Sequence, residues 1–142
     1  MKNVKIIREL KRIQQEHGGL LMPQDVVEAA KPQASPLHNR FEWNNTAAAR
    51  AFRLWQARQL ISICVHVEPG ITDPIPVFCS LSTDRAKGGY RATATVMSDA
   101  EMREQLLQDA LHELNVFQQK YARLRRLAEV FAAIRRVRRR AA

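Results

Sequence analysis

Long apolar runs are missing from this chain, and cysteine, glycine and aromatic residues are scarce. No stretch approaches the roughly 18 consecutive apolar residues that a membrane span requires. With no such run, a membrane is not an expected partner. Two cysteines, Cys64 and Cys79, are too few for a disulfide-stapled secreted scaffold, and they form no closely spaced pair of the kind zinc sites use. The glycines make no phosphate-cradling loop, and no Ser or Cys nucleophile motif or metal-binding carboxylate set is present. The N-terminus, MKNVKIIRELKRIQ, is charged throughout and does not read as a signal peptide. These absences lead to the expectation of a cytoplasmic protein with no cofactor, no metal and no enzymatic reaction.

Acid is also scarce in one place. Between Arg123 and Ala142 stand eight Arg, no Lys and a single acid, Glu129, for a net +7. The preceding 122 residues carry only +2, so the total of +9 is a nearly neutral body with a basic end. A cluster of this sign attracts polyanions, nucleic acid above all. Arg suits phosphate because its planar fork donates two parallel hydrogen bonds. One or two cations satisfy a helix dipole, whereas Arg135, Arg136, Arg138, Arg139 and Arg140 are five in six positions.

The apolar spacing divides the chain at about residue 97. Over 4–15, Val4, Ile6, Ile7, Leu10 and Ile13 recur at helical spacing until Gly18 and Gly19. Leu20–Met22 reads as a short strand, and Pro23 opens a helix over 24–30. After an irregular stretch over 31–45, in which Phe41 and Trp43 are expected anchors, Thr46 caps an alanine-rich helix through Ser62. The period then becomes two. Residues 63–67, 75–81 and 90–96 alternate apolar and polar side chains, which predicts a three-stranded antiparallel meander.

The segment 98–142 begins with a capping box, Ser98-Asp99-Ala100-Glu101, and contains no helix breaker before Arg139. It predicts one helix roughly 60 Å long. Leu107, Ala110, Leu114, Phe117, Tyr121, Leu124, Ala128 and Phe131 follow steps of three and four along it, a heptad stripe. Its second half, with Leu114, Phe117, Tyr121, Leu124, Ala128 and Phe131, is the expected surface for self-association, most simply as a homodimer.

The fold class expected is α+β: a winged-helix-like unit with a three-stranded antiparallel sheet over 1–97, then a long oligomerisation helix over 98–142. In that layout the 46–62 helix enters the major groove and a β-hairpin wing touches the backbone. Arg50, Arg53 and Arg58 fall within about 140° of one another on that helix and are the candidate DNA contacts. Ala48, Phe52, Trp55 and Gln59 are expected on its inner side. Arg85, Lys87 and Arg91 would belong to the wing, and Arg135, Arg136, Arg138, Arg139 and Arg140 would supply sequence-independent phosphate affinity. The loop with His38, Asn39, Arg40 and Glu42 beside Trp43 is the one polar cluster that looks like a site, and a structural role for it is the more economical reading. The competing reading of the whole is a coiled-coil assembly protein that binds no nucleic acid.

One resemblance covers most of the chain. The run Pro23–Ala30, then Ser35-Pro36-Leu37-His38, Phe41-Glu42-Trp43, Ala48-Ala49, Arg53 and Gln56-Ala57-Arg58, resembles small phage and prophage proteins with the pattern SPLHxxFEW followed by AAxxxRxxQAR. The likeness continues through the meander and into Lys120–Phe131. In that pattern an acid often follows FEW, where this chain has Asn44 and Asn45. The resemblance implies a phage-type origin and no particular chemistry. Phage genomes are rich in small DNA-handling proteins, so it favours DNA as partner by association alone.

Overall fold

The first three helices pack around one apolar cluster because each carries an apolar stripe at helical spacing. The computed structural model describes residues 3–141. Helix α1 (Val4–Glu16) buries Ile6, Leu10 and Ile13. Gly18 and Gly19 then take positive φ angles of 68° and 91°, a conformation that side chains with a Cβ resist. The buried Gln14 holds this turn by donating from Nε2 to the Gly19 carbonyl at 2.9 Å. Helix α2 (Pro23–Ala30) has Pro at its first position and contributes Val26, Val27 and Ala30. Helix α3 (Ala47–Ser62) starts at Thr46, whose hydroxyl accepts from the Ala49 amide at 3.1 Å. Leu37, Phe41, Ala57, Leu60, Ile61, Cys64, Val77 and Phe78 complete the same cluster.

The β structure is smaller than the alternating pattern suggests. Strands β1 (Val65–His66) and β2 (Ile75–Pro76) form one antiparallel pair, with Val65 opposite Pro76. Strands β3 (Phe78–Cys79) and β4 (Arg91–Ala92) form a second, with Phe78 opposite Ala92. Leu21, where a short strand is expected, makes a single bridge to Tyr90, with amide-to-carbonyl distances of 2.7 and 2.8 Å in the two directions. Among the described residues the sheets are two-stranded, so the three-stranded meander is corrected. The expected strand over 90–96 ends at Ala92, and Thr93–Ser98 is helix α5. Past Ala92 the facing residues are those before β3: the Val77 carbonyl accepts from the Thr93 amide at 2.8 Å, but Pro76 beyond it has no N–H and already pairs with β1, while after β3 the chain enters the short helix α4 (Ser82–Arg85). Within α5 only Val96 is buried, where a strand of that pattern would bury alternate residues.

The long C-terminal helix is also corrected. It is a helical hairpin, α6 (Ala100–Lys120) and α7 (Ala128–Ala141), joined by Tyr121–Leu124 and a short 3₁₀ turn, Arg125–Leu127. Its N-cap is Asp99, whose carboxylate accepts from the Met102 amide at 2.8 Å, one residue later than the capping box predicts. The stripe does not continue as one seam. Leu111 on α6 and Phe131 and Ile134 on α7 are buried, and Phe117 meets Phe131 with ring centroids 6.2 Å apart. Arg138 donates to Asn115 Oδ1 at 2.7 Å, so α7 runs back antiparallel along α6. Folding back buries Phe131 and Ile134, which a single extended helix would leave in water. Each such side chain is worth about 1.5–3 kcal/mol. On its other side α6 docks on the body, where Asp109 accepts from the Ser82 amide at 2.8 Å.

The loop before α3 is held by one cation. Arg53 is 7% exposed and donates from Nη1 to the carbonyls of Glu42 and Asn44. Its guanidinium lies 5.5 Å from the centre of the Trp43 ring. The opposition of charge and π-face adds to those bonds. We therefore expect Arg53→Met to cost about 2–4 kcal/mol, since it leaves two loop carbonyls without their donor. Arg50→Ala, on the exposed surface of the same helix, is expected to change stability by less than about 0.5 kcal/mol. Urea denaturation of the two variants measures the contrast.

Candidate nucleic-acid interface

Helix α3 sits in an orientation opposite to the expected one. Its inner face is Arg53, Ala57, Leu60 and Ile61, while Phe52 and Trp55, expected inside, are 46% and 51% exposed. The two rings stack on each other with centroids 5.4 Å apart and planes 14° apart. Two apolar readings of this helix compete in the sequence. The stripe through 57, 60, 61 and 64 prevails because small Ala57 lets α3 lie close to the core and Cys64 continues the same line beyond the helix end. A shallow cleft of about 180 Å³ beside Trp55 is lined by Arg40, Gln56, Gln59, Leu60 and Ile63.

The three α3 arginines therefore separate. Arg53 is corrected from a DNA contact to an internal brace, because it is buried and its Nη1 is held by the two loop carbonyls. Arg50 and Arg58 are exposed, and no carboxylate lies within 4.0 Å of either among the described residues. The expected wing residues separate too. Arg91 is corrected in the same sense: its Nε and Nη2 bond Asp84 at 2.6 and 2.9 Å, a bidentate pair in which the Asp84 residue is buried. That pairing holds the Arg91 guanidinium more firmly protonated than usual, through the hydrogen bonds to Asp84 first and its charge second. Arg85 is exposed and reaches Ser80 O at 3.4 Å, with Asp109 at 4.0 Å. Lys87 is exposed on the turn that follows α4.

The His38 loop is an interlocked support. His38 Nδ1 bonds the Ala30 carbonyl at 2.9 Å, and the imidazole stacks on Trp43 with planes 11° apart. Trp43 in turn donates from Nε1 to the His38 carbonyl at 3.0 Å. The Glu42 side chain is exposed, and the Glu42 amide donates to Gln56 Oε1 at 3.1 Å. This loop, with Arg53, holds the Ser35–His38 and Phe41–Trp43 strings singled out in the sequence, and the contacts of His38, Trp43 and Arg53 brace the fold.

On α7 the arginines are spread around the outer face. At about 100° per residue, Arg135, Arg139, Arg136 and Arg140 span an arc of roughly 140° that runs from beside Phe131 to the far side of the helix. All four are exposed, as are Arg123, Arg125 and Arg126 in the turn. Arg138 points to α6 and bonds Asn115 beside a cleft of about 300 Å³, also lined by Gln108, Leu111, His112 and Ala141. Among the described residues none of the eight has a carboxylate oxygen within 4.0 Å. The hairpin thus turns the basic end back beside α6 and leaves its outward charge unpaired.

Neither thiol belongs to a reactive cluster. Cys64 is fully buried, donates to the Leu60 carbonyl at 3.2 Å, and has its pKa pushed up to about 11 by burial. Burial likewise raises the Cys79 thiol. Both are free, and among the described residues no three His, Cys, Asp or Glu side chains converge as a metal site would require. No helix among those residues is long and apolar enough to cross a membrane. No family model, curated protein or solved structure matches this chain.

A thiol raised by burial stabilises the fold below its unfolded pKa and loses that contribution as pH rises through the folded value. For Cys64 the window runs from 9.0 to about 11. Wild-type protein is expected to lose on the order of 1–2 kcal/mol more across this window than Cys64→Ala does. Denaturation curves of both proteins, collected at each pH, give the difference.

Proposed function

We propose that this chain is a non-enzymatic, phage-type DNA-binding protein that works in the host cytoplasm. The Arg-rich α7 and the preceding turn make sequence-independent phosphate contacts. The observation that carries this reading is the set of exposed α7 arginines without an internal carboxylate partner, in a chain whose body is almost neutral. A solvated cation cluster without internal partners gains by meeting phosphates, because condensed counterions are released. Alternation of Arg with Val130, Ala133 and Val137 along one helix gives these cations a defined helical face.

The α3 helix has a smaller part in this reading. Arg50 and Arg58 remain available to a duplex, and Arg85 and Lys87 remain available from the α4 turn, whereas Arg53 and Arg91 serve the fold. In this reading the order of α1, the Leu21 bridge, α2, α3 and the β3–β4 pair is taken as winged-helix-like, with 84–89 as the wing. The resemblance to phage and prophage proteins supports the same direction. A second reading, an assembly protein without nucleic acid, draws on the apolar face that the hairpin leaves exposed.

Retention on duplex DNA across a salt series tests the proposal. Log affinity is expected to fall linearly with log salt, and removing residues 135–142 to flatten the slope by at least about two. Arg53→Met and Arg91→Ala are expected to lower stability and leave the slope unchanged. Absence of retention at low salt would leave the assembly reading in its place.

A further inference from the structure

The hairpin has three faces, and only two of them are used. On α6, Leu111, Asn115 and Gln118 face α7, while Gln105 and Asp109 reach the α4 segment through Thr83 and Ser82. Leu107, Ala110 and Leu114 lie to one side, displaced from the α7-facing residues by roughly 70° at the helical period. On α7, Phe131, Ile134 and Arg138 face α6, and Val130, Ala133, Val137 and Ala141 are displaced from them by about 90°. Both displacements have the same rotational sense along their own helix. Because the helices are antiparallel, the two strips emerge on one face of the hairpin. Leu107, Leu114, Val130 and Val137 are 37–46% exposed there, a set that belongs to neither of the packed faces, and Phe117 borders it while packing on Phe131.

We infer that this face is covered by the hairpin of a second copy of the chain, related by a two-fold axis parallel to the helices. That operation lays each α6 over the partner's α7 and gives four helices, each antiparallel to its neighbours, with the apolar strips inside. Charge selects this occupant and this arrangement. The outer edge of α6 carries Glu113 and Lys120, and the outer edge of α7 carries Glu129, Arg136 and Arg140. The heights along the hairpin follow from its internal contacts, in which Phe117 meets Phe131, Asn115 bonds Arg138 and Leu111 shares a cleft with Ala141. At those heights Glu113 of one copy faces Arg136 and Arg140 of the other, and Lys120 faces Glu129. Edge pairs of opposite sign are what set partner and orientation in helical assemblies. The other two-fold, which stacks α7 on α7, would bring Arg136 and Arg140 against their own copies. Glu113 and Glu129 have no ion-pair partner within one chain among the described residues.

The dimer does not depend on nucleic acid, and it leaves Arg135 and Arg139, with the arginines of the turn, facing solvent. Sedimentation equilibrium of the full chain without DNA tests it, with circular dichroism as the check on folding. A dimer is expected at tens of micromolar, and Leu107→Glu combined with Leu114→Glu is expected to weaken it at least about a hundredfold while helix content is kept. Glu113→Lys alone is expected to weaken it, and adding Arg136→Glu and Arg140→Glu is expected to restore it. A wild-type monomer at that concentration overturns the inference. So does a dimer indifferent to the two Leu substitutions, or a triple charge variant no tighter than Glu113→Lys.

Discussion

The N-terminal body depends on how Arg53 is held. A guanidinium at a buried position needs partners for its donors, and the carbonyls of Glu42 and Asn44 together with the Trp43 ring provide them. That requirement fixes which side of α3 faces the core. With Arg53, Ala57 and Leu60 turned inward, Phe52 and Trp55 are carried outward, and Arg50 and Arg58 are left on the surface. The His38–Trp43 stack joins the same assembly to the end of α2 through the Ala30 carbonyl. What looks like a polar site in the sequence is the fastening between two helices and a loop.

A second constraint shapes the C-terminal part. The apolar residues of 98–141 are too numerous for one helix to cover against a small body. The chain reverses at Tyr121–Leu124, and α7 shields Leu111 while burying Phe131 and Ile134. This reversal changes the electrostatics of the molecule. The arginines are held along a helix beside α6, in place of an arm projecting far from the body. A cation cluster on a rigid helix presents charges at fixed spacing, which suits a regular polyanion better than a flexible tail does. The same reversal brings two half-used apolar strips onto one face, so the proposed phosphate contact and the inferred self-association both rest on one structural event.

Much of the molecule was legible beforehand, for identifiable reasons. The helices α1, α2 and α3 were marked by stripes, by Pro23 and by Thr46, all signals that act within a few residues. The body's near-neutrality and the basic end needed only counting. The third strand misled because alternation over 90–96 fits a strand equally well, and the ladder stops where Pro76, which has no N–H, would be next in register. The reversal after Lys120 carried no Gly or Pro to announce it. Phe52 and Trp55 misled because two aromatics on a helix ordinarily mark the buried side.

The residues by themselves determined where helices begin, which stretch is cationic, and that acid is nearly absent there, because these follow from local backbone preference and from composition. Tertiary structure alone decided which arginines are free. Arg53 and Arg91 look no different in sequence from Arg50 and Arg58, yet the first two lie against loop carbonyls and Asp84 and the others face water. Partner availability in three dimensions has no counterpart in spacing along the chain, and it separates the cations that hold the fold from those that can hold a ligand.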